Sequence, residues 1–244
     1  MANEVAKPVF GGSVVIKDMK AMAEKAQESA QNSPRGGAPD GSDYLNFSGK
    51  QGKYTIGQDN RVITSDELWV VNVASFEDGW VCWKGGKPAA SRMANIYNGI
   101  PVPAPDMSEL GPFDTNRGDG WFQAKAMVIK SLDNDQQGYH KINSISGTAE
   151  MADLVGEFSK RAAAGLPCWP VIYLDMEKFQ AQGFTNFKPQ YKVYGWLSDD
   201  QLGLLDDPDC DIDALISDAA AVAEPPKVED KSAGGGTSRR RRSA

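Results

Sequence analysis

From residue 68 to residue 197 the apolar residues fall into short strand-like runs, and the pattern changes to helical spacing only once. The runs are residues 68–73 (LWVVNV), 80–84, 121–132, 139–145, 170–176 (PVIYLDM) and 191–197 (YKVYGWL). Gly, Pro, Asn and Asp cluster between them, where turns need them. Two shorter strands are predicted ahead of these, at 44–47 and 54–56, with Gly49 and Gly52 between. Residues 74–79 (ASFEDG) can close a hairpin, and Gly85 and Gly86 end its second strand. The one helix is predicted over 149–164. Thr148 suits its N-cap. Met151, Leu154, Val155, Phe158 and Ala162 fall on one face, and Gly165 and Pro167 stop it. Residues 98–120 and 177–190 read as loops, and a loop as long as the first is usually functional or mobile.

This order predicts an α+β chain, mainly β. Strands, one helix and then two strands is the order of an OB-like five-stranded barrel, a Greek-key barrel with its helix before the last two strands. The ends read differently. Ser13 caps a predicted N-terminal helix to about Gln31, with a narrow Ala- and Met-rich stripe, and residues 32–43 (NSPRGGAPDGSD) have linker composition. Three regions follow: 1–43 as helix and linker, 44–198 as the core domain, and 199–244 as a disordered C-terminal tail.

Charge divides the same way. Residues 1–197 carry 20 basic and 22 acidic side chains; residues 198–231 carry 2 and 11; residues 232–244 add four arginines. The net charge of −7 therefore belongs to the tail. A nearly neutral core can still present a basic stripe. An acidic tail can compete for such a stripe, so deleting 198–244 is expected to tighten anion binding at low salt.

Several chemistries are excluded. One histidine, His140, cannot supply a two-histidine zinc site. It sits in a polar stretch and reads as a surface side chain. No G-x-S-x-G, P-loop or G-x-G-x-x-G is present. Residues 206–213 (DDPDCDID) lack the central Gly and final Glu of a calcium loop. Cys82, Cys168 and Cys210 are scattered and odd in number, which fits reduced thiols in a reducing compartment. No apolar run reaches the roughly 18 residues of a membrane span. The chain is expected to be a cytoplasmic, non-enzymatic protein without cofactor or metal.

Alternation supplies a binding hypothesis. In 191–197, Tyr191, Val193 and Leu197 should face the core, and Lys192, Tyr194 and Trp196 should face out. In 121–132, Trp121, Gln123 and Lys125 share a face. Trp80, Lys84 and Lys87 gather near the end of the predicted hairpin. Rings alternating with amines suit single-stranded nucleic acid, because rings stack on bases while ammonium groups meet phosphates. The candidate interface is Trp80, Lys84, Lys87, Trp121, Lys125, Lys192, Tyr194 and Trp196.

Certain features also carry a resemblance. They are Gly79 and Trp80 with Trp83, the following Gly85-Gly86-Lys87-Pro88, the strand at Trp121, Pro170-Val171-Ile172 after a helix, and Tyr194-Gly195-Trp196. Over 68–197 the chain resembles uncharacterised early proteins of tailed phages and prophages. The resemblance implies a single-stranded DNA-binding protein of phage replication or recombination, in the host cytoplasm. It implies an OB fold and an acidic tail that recruits replication or recombination proteins. Such tails end in acidic or aromatic residues, whereas this chain ends in SRRRRSA. The alternative is a non-enzymatic interaction or virion-associated phage protein, docking through the N-terminal helix and the tail.

Overall fold

A 17-residue strand organises the structure, a computed structural model that describes residues 42–181, 183–205, 207 and 210–216. The expected N-terminal helix and the tail beyond residue 216 lie outside the described residues. The described chain is mainly β, with strands β1 (Asp43–Ser48), β2 (Lys53–Ile56), β3 (Arg61–Ile63), β4 (Leu68–Lys84) and β5 (Lys87–Asn95). After a long connection come β6 (Gly120–Ser131), β7 (Gln137–Ile142), helix α1 (Ile145–Ala163), β8 (Trp169–Ala181), β9 (Phe184–Leu197) and the single turn α2 (Asp199–Leu202). Nine strands form one sheet in the order β3-β2-β1-β7-β6-β4-β8-β9, with β5 on β4. Among the described strands only β1–β7 is a parallel pair.

β4 replaces the two strands and the hairpin predicted over 68–84. Its register with β6 slips between Asn72 and Glu77. The extra residues are satisfied locally instead of turning the chain. Ser75 Oγ donates to the Asn72 carbonyl at 2.6 Å and accepts from Val128 N–H at 2.7 Å, while Asn72 Oδ1 accepts from Ala74 N–H at 3.1 Å. Such a bulge bends a strand without ending it. β4 then pairs with β8 through its first residues and with β5 through its last. β5 carries no apolar alternation. It forms because Gly85 and Gly86 both take positive φ, 61° and 72°, and close a two-residue turn.

The 177–190 stretch is strand, not loop: β8 and β9 stay in register to Ala181↔Phe184. The helix begins at Ile145, one turn earlier than expected, because Ser144 caps it by accepting from Gly147 N–H.

The sheet curls into a barrel-like shape. Phe187 N–H donates to the Gly49 carbonyl at 2.8 Å, and Tyr54 O–H donates to the Asp175 carbonyl at 3.0 Å, so the β1–β2 hairpin meets β8–β9. Leu45, Ile56, Trp69, Met127, Ile129 and Ile172 fill the interior, and α1 adds Met151, Leu154 and Phe158. Burying each such side chain contributes about 1.5–3 kcal/mol. His140 is at the centre of this core, fully buried, and not on the surface. Among the described residues no helix is long and apolar enough to cross a membrane.

Candidate functional site

β1 and β7 pair from Asp43↔Gly138 as far as Leu45↔His140. Beyond that point β1 turns away with β2, and a groove of about 420 Å³ opens beside β7. Its walls come from the β1–β2 turn, the β7–α1 junction and the end of the β8–β9 hairpin. Four Phe or Trp rings line it, Phe47, Trp83, Phe179 and Phe187, and His140 also borders it. Lys50 and Lys141 supply its charge, and Asn46, Asn143 and Asn186 add amides. Ser144 and Ser146, at the N-terminal end of α1, complete the rim. No Asp or Glu is among its described lining residues.

Each wall has a local cause. Phe47 packs at a tilt against Tyr54 with ring centres 4.8 Å apart. Gly52, at φ 60°, lets the β1–β2 turn press against Phe187, since a Cβ there would lie 2.6 Å from the ring. The rings of Phe179 and Phe187 reach the groove because the β8–β9 hairpin is long. Lys141 is half-buried, and its ammonium reaches Ser91 Oγ at 3.4 Å. Burial lowers the Lys141 pKa, while the nearby Glu77 carboxylate acts to raise it. Glu77 itself is pushed up by burial, opposed by the Tyr139 hydroxyl that donates to it at 2.6 Å.

The eight residues nominated from sequence fall in three other places. Trp80 lines a second hollow of about 380 Å³, with Gln123 on one side and Ile96, Ile100 and Val102 on the other. Lys125 sits at its margin, paired with Asp78 at 3.1 Å. Lys84, Lys87 and Trp121 lie around the β4–β5 turn. Trp121 is 7% exposed and donates its indole N–H to the Glu109 carbonyl at 3.0 Å. Lys84 donates to the Leu110 carbonyl at 2.6 Å, and Lys87 is exposed across the turn from it.

Lys192, Tyr194 and Trp196 stay on β9 but do not form one open stripe. A register shift opposite Val171 and Ile172 leaves Lys192, Val193 and Tyr194 exposed in succession, so Val193 does not join the core face. Lys192 pairs with Asp175, and Tyr194 O–H donates to Asp213. Trp196 packs on the core under the Arg161 guanidinium, 4.7 Å from the ring centre. Asp213 belongs to the stretch read as tail, whose Leu202, Leu205, Leu215 and Ile216 pack on the same core.

The groove residues escaped sequence reading because Phe179 and Phe187 lie in a stretch with few apolar neighbours. The turn residue Gly183 flanked by Phe179, Phe184 and Phe187 was the available signal for a hairpin. No protein-family model matches the chain, and comparison with curated proteins and with solved structures gives no match either.

Proposed function

We propose that the protein binds single-stranded DNA without sequence preference, in phage replication or recombination, through the groove between β7 and the β8–β9 hairpin. One observation carries this: in a chain of net charge −7, the groove holds four Phe or Trp rings and two lysines and no described carboxylate. Rings stack on any base, and amines neutralise phosphates. Amides and hydroxyls at the rim can bond bases or backbone.

Topology supports the reading. β4, β6, β7, α1, β8 and β9 follow the chain order of an OB barrel. The pairings β4–β6, β6–β7, β4–β8 and β8–β9 are four of the five that close such a barrel, and β7 pairs with β1 in place of β9. In that assignment β1–β3 and β5 are additions, and the groove lies beside the third strand and the loop joining the last two. OB folds bind oligonucleotides in that region. The activity proposed is binding, not catalysis.

The test is intrinsic tryptophan fluorescence during titration with an oligonucleotide of roughly 30 nucleotides, longer than one OB site. Saturable quenching that weakens with salt is expected. Phe187→Ala should weaken binding by about 1–3 kcal/mol, the contribution of one stacked base. Lys50→Ala should lower the salt dependence by about one counterion. A groove variant that binds like wild type removes the groove from the reading.

The second reading, an interaction or virion-associated protein, is favoured by the apolar rim beside Trp80, where Ile100 is 70% exposed. Ile100→Asp should then abolish a stoichiometric partner and leave DNA quenching intact.

A further inference from the structure

Donors from three strands close on one turn of the β5–β6 connection. Arg92 on β5 forms an ion pair with the Glu109 carboxylate. Trp121 on β6 donates its indole N–H to the Glu109 carbonyl at 3.0 Å. Lys84, ending β4, donates to the Leu110 carbonyl at 2.6 Å and reaches the Gly111 carbonyl at 3.4 Å. The Arg92 guanidinium also lies 5.0 Å from the centre of the Trp121 ring. Two cations, an indole N–H and a ring face make a donor set suited to a phosphodiester and its base. In the free protein a carboxylate and three peptide carbonyls fill it.

The turn that fills it is held at a cost. Leu110 sits at φ 70°, a left-handed conformation that bulky L residues avoid, and is 42% exposed, so burial returns little. The Arg92 and Glu109 side chains are 43% and 40% exposed, and such pairs are weak and salt-screened. The turn is also bonded within itself. Glu109 N–H donates to the Asp106 carbonyl, Gly111 N–H to the Ser108 carbonyl, and Ser108 N–H to Asp106 Oδ1, each at 2.9 Å. It can leave as a unit.

We propose that Lys84, Arg92 and Trp121 form a second phosphate-binding site for single-stranded DNA, on the sheet face opposite Trp83, and that residues 106–111 plug it until the DNA displaces them. The inference rests on the single-strand reading and adds its regulation.

The experiment measures affinity of the full chain for single-stranded DNA at several salt concentrations. Glu109→Gln keeps the turn's shape and removes the charge that competes for Arg92. It should bind roughly two- to five-fold tighter at low salt, the range of an exposed ion pair. Arg92→Gln and Lys84→Gln should each weaken binding and lower the slope of log affinity against log salt by about one. If Phe187→Ala weakens binding while Glu109→Gln, Arg92→Gln and Lys84→Gln leave affinity and slope unchanged, the plug is overturned and the groove stands. If neither wild type nor Glu109→Gln binds, both readings are overturned.

Discussion

His140 is held neutral by burial, and its partners fix its tautomer. The Leu45 carbonyl, 3.1 Å from Nδ1, can only accept, so Nδ1 carries the proton; Nε2 then accepts from the Tyr191 hydroxyl at 2.9 Å. Burial pushes the His140 pKa down to about 4, against an ordinary 6.5. The unfolded chain therefore binds a proton that the fold refuses between these values. The contribution, ~3 kcal/mol, is present above pH 6.5 and is lost as pH falls toward 4. Urea unfolding at pH 7.5 and pH 5 should show it, and His140→Gln should flatten the dependence between pH 5 and 6.5, where this single histidine titrates. Tyr191→Phe would leave Nε2 buried without a donor, costing about 1–3 kcal/mol at neutral pH. Sequence placed His140 on the surface because polar neighbours imply exposure only when both sheet faces do not meet other layers.

At the scale of elements, β4 and the β8–β9 hairpin carry the site. β4 runs past its bulge to place Trp80 and Trp83 in different hollows, as their spacing of three residues requires. Gly79 makes that passage possible. A Cβ there would lie 2.0 Å from the Arg92 carbonyl oxygen, which is backbone and cannot swing aside. Gly79→Ala should cost about 3 kcal/mol or more in chemical unfolding. It should also break the β4–β5 ladder, seen as faster amide exchange over residues 87–95. Undiminished stability would show that β5 yields. The hairpin was legible only at its base, where PVIYLDM and YKVYGWL are apolar. Its outer half is held by cross-strand pairs such as Glu177 with Lys188 at 3.0 Å, which no hydrophobic period announces.

For the whole molecule, the acidic stretch and the basic end separate. Seven acids lie between residues 199 and 213, a stretch partly packed on the barrel, while residues 217–244 carry four acids and six cations. Ile216 seats on Gly195, where a Cβ would lie 2.1 Å from its Cγ2. Gly195→Ala should destabilise by about 1–3 kcal/mol, and Ile216→Ala should relieve much of that loss in the double variant. Additive losses would place the strain elsewhere. Removing all of 198–244 strips Leu202 and Ile216 from the core, so it is a poor test of tail competition. Truncation after Ile216 removes net positive charge instead. It should weaken single-strand binding at low salt and reduce the salt slope. Tighter binding by that truncation would restore the acidic tail as the competitor.

Local chemistry in the sequence was sufficient for the mainly-β class, the existence of one core helix, its apolar face and the turns at Gly49 and Gly85, because periodicity and φ preferences act within a few residues. Tertiary structure alone decided that residues 68–84 form one bent strand, since only β6 across the ladder makes a bulge at Asn72–Glu77 cheaper than a turn. It also decided which rings meet. Phe47, Trp83 and the Phe179–Phe187 hairpin come from three distant segments, and only the curl of the sheet brings them around one groove.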